Sequence, residues 1–232
     1  MVTLTPAEAL ELVRKNLDEL DPNGSIMYDD ENGSAADFAD NGSMSDIIRR
    51  SLPEAINEVQ LTAPVTMLEG TTSPIGNQST SISGSGEWAG YIVTFTPTTA
   101  QDYLRLVSFR ADKSDPNEIV ITDVIEEASP EGRKQLNPYI MGREDRPRLV
   151  HLQGTYNPPT FRYYSKKNSG SLSTSDVEFK YVKRQTYSSG GSYTVSYPLV
   201  QNVIDYLTGM VLEIYSDQRA QYYFQKASIF KQ

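Results

Sequence analysis

Apolar residues recur at helical spacing close to the start of the chain. The sequence Thr5-Pro6-Ala7-Glu8 is a capping box with proline at the first helical position, where its missing N–H does no harm. The apolar stripe that follows it consists of Leu10, Val13, Leu17 and Leu20. This pattern predicts an amphipathic helix that ends at Asp21-Pro22-Asn23-Gly24.

A second amphipathic pattern begins near Ser43 or Ser45 and is closed by Ala63-Pro64. Proline falls inside it, within Ser51-Leu52-Pro53-Glu54. The helix is therefore either kinked at Pro53 or restarted there by another capping box. Because the two helices carry matching apolar stripes, residues 1–64 are predicted to form an N-terminal helical hairpin.

The middle of the chain, residues 65–197, changes to the two-residue period of β-strands and is predicted to be a β-rich region. Its predicted strands are Tyr91 to Thr96, Tyr103 to Phe109, Ile119 to Val124, Leu149 to Gln153, Phe161 to Ser165 and Val177 to Lys183. A short helix is expected at Pro130 to Leu136. The Ser/Thr/Gly-rich stretch Thr71 to Gly86 is predicted to be a flexible excursion, and Tyr187 to Tyr193 an exposed hairpin tip.

Helical spacing returns after Pro198 and continues to the end of the chain. One stripe consists of Leu199, Val203, Leu207 and Val211, and a last helix is marked by Ala220, Phe224 and Ala227. Residues 198–232 are predicted to form a C-terminal helix pair that packs on the N-terminal helices. The predicted fold class is thus α+β, with the N- and C-terminal helices packed together around a central antiparallel β-sheet insertion.

Composition narrows the classes of function open to these 232 residues. The absence of cysteine excludes disulfides, thiolate zinc sites and thiol catalysis. The formal net charge of -9 argues against clamping of nucleic-acid phosphate, because lysine and arginine drive that binding. No apolar run is long enough for a membrane span, and no signal-peptide pattern opens the chain, so we expect folding in a cytoplasm without membrane partners.

Candidate catalytic groups are few. His151 is the only histidine, and its apolar strand context favours a buried or rim histidine held by hydrogen bonds over a catalytic base. Gly84 to Ala89 matches the dinucleotide fingerprint formally, but a polar tract precedes it and a strand follows it, so we interpret the match as accidental. Glu126 and Glu127 are adjacent rather than opposed across a cleft. We therefore expect no enzyme activity and no cofactor.

The segment Glu19 to Asp30 aligns with a calcium-binding EF-hand loop. It departs from that pattern because its first ligand is not Asp, its last is not Glu, and Pro22 stiffens it. The alternative, a helix-ending turn followed by a solvated acidic loop, is favoured, and no metal is expected.

A basic cluster stands out in this acidic chain and consists of Arg143, Arg146 and Arg148. With Glu144 and Asp145 between them, these arginines are consistent with a solvated loop. They are equally consistent with ion pairs between subunits, which suit the bidentate geometry of the guanidinium group. Both interpretations stay open at this point.

Four blocks of sequence, taken in order, resemble a known protein family. They are the N-terminal helices with Pro53-Glu54-Ala55-Ile56, Val59 and Ala63-Pro64; then Asp102-Tyr103-Leu104-Arg105-Leu106-Val107; then Ser129-Pro130-Glu131, Arg133-Lys134-Gln135-Leu136-Asn137, Gly142 and Arg146-Pro147; and last Val203 to Ala227 with Asp217. In this order they resemble the head-tail connector (adaptor or ring) proteins of tailed bacteriophages, especially the ring proteins of crAss-like phages. The block order covers most of the chain but contains no diagnostic short motif.

The resemblance implies a structural virion protein of the neck or tail, assembled in the bacterial host cytoplasm. Its partners would be its own copies in a ring of twelve, the portal protein, other neck and tail ring proteins, and DNA passing through the lumen without sequence-specific contact. Four C-terminal aromatic residues are hypothesised to dock on the portal or a neighbouring subunit: Tyr222, Tyr223, Phe224 and Phe230. Truncation after Ser216 is then expected to abolish attachment to portal-filled heads.

Two other classes of function remain as alternatives. One is a tail or surface adhesin-type virion module that binds carbohydrate through the tyrosine-rich sheet. The other is an enzyme that uses carboxylates alone, which would require a deep pocket with two facing acids.

Overall fold

The computed structural model describes residues 2–18, 44–68, 75–78, 82–87, 92–97, 100, 102–112, 115–135, 137, 142, 146–156, 158–165, 177–188 and 191–228. Contacts divide the chain into two compact units. Unit 1 comprises Met1–Pro74 and Gln185–Gln232, and unit 2 comprises Ile75–Arg184. Helices and sheets are both present, so the predicted α+β class is confirmed.

The helices are α1 (Pro6–Asp18), α2 (Met44–Thr62), α3 (Pro130–Lys134), α4 (Val200–Ile214) and α5 (Ala220–Ala227). The strands are β1 (Val2–Leu4), β2 (Ile75–Gln78), β3 (Ile82–Glu87), β4 (Ile92–Pro97), β5 (Tyr103–Arg110), β6 (Ile125–Glu126), β7 (Arg148–Tyr156), β8 (Pro159–Tyr164), β9 (Glu178–Lys183) and β10 (Tyr193–Val195). None of the helices in the described ranges is long and apolar enough to cross a membrane.

The capping box at the start of α1 forms as predicted. The backbone N–H of Thr5 donates to the Glu8 carboxylate at 2.8 Å, and the N–H of Glu8 donates to the Thr5 hydroxyl at 3.3 Å. The hydrogen bond from the Thr5 backbone holds the pKa of Glu8 below its usual value. Pro6 is the first helical residue. This helix start is fixed by residues three positions apart, which is why the sequence alone predicts it.

Helix α2 runs without a break through Pro53, so the alternative of a restarted helix is not what forms. Three helices of unit 1 pack against one another, namely α1, α2 and α4, and α5 packs on α4. Strand β1 pairs antiparallel with β10, with Val2 opposite Val195. This pairing and the helix contacts join the two parts of unit 1, which are Met1–Pro74 and Gln185–Gln232.

Gln60 lies on the buried face of α2 and is fully buried. Within the described residues, neither Nε2 nor Oε1 of its side chain has a hydrogen-bond partner. A buried polar group without partners destabilises a fold because its desolvation is uncompensated. The site is therefore expected to favour an apolar side chain of similar size.

The substitution Gln60→Leu should raise the free energy of unfolding by about 1 kcal/mol, because it removes that desolvation cost. Urea unfolding followed by far-UV circular dichroism measures the change. The exposed Gln221 supplies the matched control, since Gln221→Leu should leave stability within about 0.5 kcal/mol of the original. A clear loss of stability in Gln60→Leu would show that the amide has a partner and would contradict this prediction.

Unit 2 contains two sheets. One has three strands in the order β2-β9-β5, and the other has five in the order β3-β4-β8-β7-β6. Aromatic rings from both sheets meet in one core. Phe95 of β4 stacks on Phe109 of β5 with ring centroids 5.1 Å apart, and Phe161 of β8 lies 5.2 Å from Phe179 of β9. The two sheets therefore pack face to face through large apolar side chains.

Several expectations for the β-rich region need correction. The pairing of β6 with β7 is parallel, so the larger sheet is mixed rather than antiparallel. The stretch 71–86, expected to be flexible, contains β2 and most of β3, which obtain their backbone hydrogen bonds from β9 and β4. The predicted strand 119–124 is reduced to a single bridge between Ile121 and Phe109. Non-local pairing decided each of these features.

Candidate functional site

The basic cluster lies at the start of β7. Arg146 and Arg148 are exposed, and neither forms an ion pair with another described residue. Arg143 lies outside the described residues. Both interpretations of this cluster, a solvated loop and ion pairs between subunits, are compatible with this placement.

The aromatic residues of α5 differ in their surroundings. Tyr223 is 4% exposed, and its hydroxyl donates to the backbone carbonyl of Asn16 at 3.1 Å. The ring of Phe224 lies 5.2 Å from that of Tyr206 on α4. Tyr222 is 59% exposed, whereas Phe230 lies outside the described residues. Because Tyr223 and Phe224 pack against other residues of unit 1, Tyr222 is the one described residue of the four that is exposed to a partner, and docking by Phe230 stays a prediction.

This packing also changes how the hypothesis is tested. Truncation after Ser216 would remove Tyr223 and Phe224 from the interior of unit 1 and so destabilise it. If the truncated chain failed to attach to portal-filled heads, the cause could be either the unfolding of unit 1 or the loss of a docking contact. Substitution of Tyr222 alone avoids this ambiguity, because an exposed side chain contributes little to stability.

Gly209 explains how closely α5 approaches α4. A Cβ atom at this position would lie 2.8 Å from two ring carbons of Phe224. The two helices run antiparallel, since the Asn202 side chain of α4 donates to the carbonyl of Ala227, at the end of α5, at 3.2 Å. The first turn of α5, which carries Tyr222, therefore lies beside the last turns of α4.

Exposed apolar residues occur at both ends of α4. The N-end patch consists of Tyr197, which is 75% exposed, and the exposed Pro198. The C-end patch consists of Ile214, Tyr215 and Tyr222, which are all exposed. Helix α4 has 15 residues. At 1.5 Å per residue it separates the two patches by roughly 22 Å, so unit 1 has two distinct and unlike apolar surfaces.

Unit 2 contains a cleft of about 370 Å³. It lies between the first half of β5 and the segment 122–126, and its polar lining consists of Tyr103, Arg105, Thr122, Asp123, Glu126, His151 and Arg184. We refer to it as the unit 2 cleft. The sequence does not reveal it, because these residues come from four separate segments of the chain.

His151 forms the inner wall of the unit 2 cleft. It is 3% exposed, and its Nδ1 atom lies 3.2 Å from Oε2 of Glu126. The expectation of a buried histidine with hydrogen-bond partners is thus confirmed. Burial, and secondarily the negative charge of Glu126, raises the pKa of the nearby Tyr103. Burial also lowers the pKa of Arg105.

Other candidate sites resolve as follows. Gly84 and Gly86 lie inside β3, which pairs with β4 rather than leading into a helix, so the dinucleotide fingerprint has no structural basis. The EF-hand-like segment Glu19 to Asp30 lies outside the described residues. In the part of the chain that the structure describes, no group of three or more His, Cys, Asp or Glu side chains is placed to hold a metal ion.

Comparison with known proteins adds no identification. No family model matches the sequence, and no curated protein matches it. The inference of function therefore depends on the sequence and on the two apolar patches and the unit 2 cleft described above.

Proposed function

We propose that this chain is a structural virion protein that forms a head-to-tail connector ring between the portal and the tail of a tailed bacteriophage. In this proposal twelve copies close into a ring, DNA passes through the lumen, and other neck and tail ring proteins contact the faces of the ring. The protein belongs to the neck or tail of the virion and is assembled in the host cytoplasm. It requires no catalytic group and no cofactor.

The observation that carries the proposal is the pair of unlike apolar patches at opposite ends of α4. A ring is built from heterologous contacts, in which one surface of a subunit binds a different surface of the next. The N-end patch and the C-end patch are suited to such contacts, because they differ in composition and lie at opposite ends of α4. Tyrosine is also among the residues enriched in protein interfaces.

The charge of the chain is compatible with a DNA channel. The formal net charge is -9. A basic channel wall would bind the phosphate backbone and hold it, whereas an acidic wall repels it and lets it slide. Sequence-specific contact with DNA is neither needed nor expected in this role.

The alternative of an adhesin-type virion module predicts different partners. Such a module would bind carbohydrate on a cell surface and would ignore portal-containing heads. The carboxylate-only enzyme requires two facing acids. The carboxylate of Glu126 is instead directed to the imidazole of His151. These alternatives rank below the ring in the order given.

Cryo-electron microscopy of portal-containing heads of the phage, incubated with the purified chain, tests the proposal. We expect added density at the portal vertex that closes as a ring of subunits, and no density on heads that lack portal. A Tyr222→Asp variant should fail to form the ring while the neighbouring Gln221→Asp variant forms it, since both positions are exposed. Heads that remain bare with the original chain would refute the connector role.

A further inference from the structure

The unit 2 cleft has a lining of its own, and none of its residues belongs to the two apolar patches. We propose that the unit 2 cleft binds a neutral, hydroxyl-rich ligand of the size of a mono- or disaccharide. This inference does not rest on the connector role, since the two apolar patches belong to unit 1 and the cleft belongs to unit 2.

The charges of the lining point to a neutral ligand. Arg105 and Arg184 contribute two positive charges, and Asp123 and Glu126 contribute two negative ones. These four charges sum to zero. An anion would be attracted by the arginines and repelled by the carboxylates, and a cation would meet the reverse. A ligand without net charge avoids both penalties.

The hydrogen-bonding groups of the lining point to hydroxyls. A guanidinium group only donates hydrogen bonds, and an ionised carboxylate only accepts them. A hydroxyl does both, so a ligand with neighbouring hydroxyls can accept from an arginine and donate to a carboxylate in the same cleft. An ether only accepts hydrogen bonds and therefore satisfies only the arginines.

Two of these groups are available to a ligand. The side chains of Asp123 and Arg184 are exposed, and neither forms an ion pair within the described ranges. The backbone of Arg184 is held in place, since its N–H donates to the carbonyl of Asp102 at 2.5 Å. Glu126 is oriented by His151 but remains 59% exposed, so its carboxylate can accept a further hydrogen bond.

The size and the apolar part of the cleft fit a sugar ring. A volume of about 370 Å³ falls near the lower end of the range for small-molecule sites. Leu104 and Val124 contribute apolar surface beside the polar groups, whereas Leu106 is buried in the core. Tyr103 adds an aromatic ring, whose centroid lies 6.2 Å from that of His151. Such apolar surface complements the C–H faces of a pyranose.

The test is a nuclear magnetic resonance titration of the full chain, labelled with ¹⁵N, with the methyl glycosides of glucose, galactose, mannose and N-acetylglucosamine. We expect at least one of them to shift the backbone amide signals of Thr122, Asp123 and Arg184. Each of the variants Asp123→Ala and Arg184→Ala should weaken that binding about tenfold, the loss of one charge-assisted hydrogen bond.

The matched control is Lys134→Ala, which removes an exposed charge on α3 outside the cleft and should leave binding unchanged. The amide spectrum of each variant also shows whether it is folded. Two results would overturn the inference: no neutral glycoside shifts the cleft amides, or only inorganic phosphate and acetate do so. Asp123→Ala should still join portal-containing heads, so failure of the ligand and failure of the connector role are distinguishable.

Discussion

Replacing Asp205 with alanine should lower the free energy of unfolding of unit 1 by about 2 kcal/mol, because three partly buried side-chain hydrogen bonds lose the acceptor that they share. Asp205 of α4 is 2% exposed. Its Oδ1 atom accepts from Asn16 of α1 at 3.2 Å, from Gln201 of α4 at 2.9 Å and from Lys226 of α5 at 3.1 Å. One carboxylate therefore holds three helices together.

Urea unfolding followed by far-UV circular dichroism measures this loss, since the four long described helices all lie in unit 1. Asp205→Asn should lose less, because it keeps one acceptor oxygen. The exposed Glu213 on the same helix provides the control, and Glu213→Ala should change stability by less than about 0.5 kcal/mol. Equal stability of Asp205→Ala and Glu213→Ala would contradict the role assigned to the carboxylate.

The second expected result concerns two variants that each fail to assemble but pair when they are mixed. Tyr197→Asp disables the N-end patch, and Tyr222→Asp disables the C-end patch. In a heterologous ring every contact uses one patch of each kind, so either variant alone should stay monomeric. In the mixture, the intact C-end patch of the first binds the intact N-end patch of the second. The product should be a dimer of one chain of each variant, which cannot grow.

Size-exclusion chromatography with light scattering separates the monomer from this dimer, and native mass spectrometry of differently labelled chains shows its composition. Ser192→Asp and Gln221→Asp, at exposed positions of unit 1 outside the two patches, are the matched controls and should assemble as the original chain does. A ring formed by either tyrosine variant alone would refute the head-to-tail contact. A mixture in which each variant forms dimers only with its own kind would also refute the head-to-tail contact.

The adjacent tyrosines of α5 show which part of the candidate site could be predicted from the sequence. The buried stripe of α5 contains Ala220 and Ala227. Either Tyr223 or Phe224 can complete this stripe, because spacings of three and four residues both approximate one helical turn. The sequence favoured Phe224. The structure buries Tyr223 more deeply than Phe224 and leaves Tyr222, about 100° away around the helix, exposed to solvent. Which tyrosine is available to a partner is therefore decided by the rotation of α5 against α4.

The unit 2 cleft could not be predicted because its residues are distant in sequence. Asp123 and Arg184 belong to segments that come together only after β5, β7 and β9 have paired with their neighbouring strands. Glu126 and Glu127 are neighbours in the chain, yet Glu126 is directed to His151 and Glu127 to Arg162, at 3.4 Å. Glu126 is the last residue of β6 and Glu127 follows it in a turn, so the two side chains reach different partners.

The sequence by itself determined the start of α1, the alternation of the main strands, the α+β class, and the acidic, cysteine-free character of the chain. These features depend on contacts within a few residues or on composition, as the pairing of Thr5 with Glu8 shows. Only the tertiary structure decided the parallel pairing of β6 with β7, the strands in the stretch 71–86, the burial of Tyr223 and the lining of the cleft. Those depend on packing between distant segments, which is selected by burial and hydrogen bonding of the whole unit rather than by local propensity.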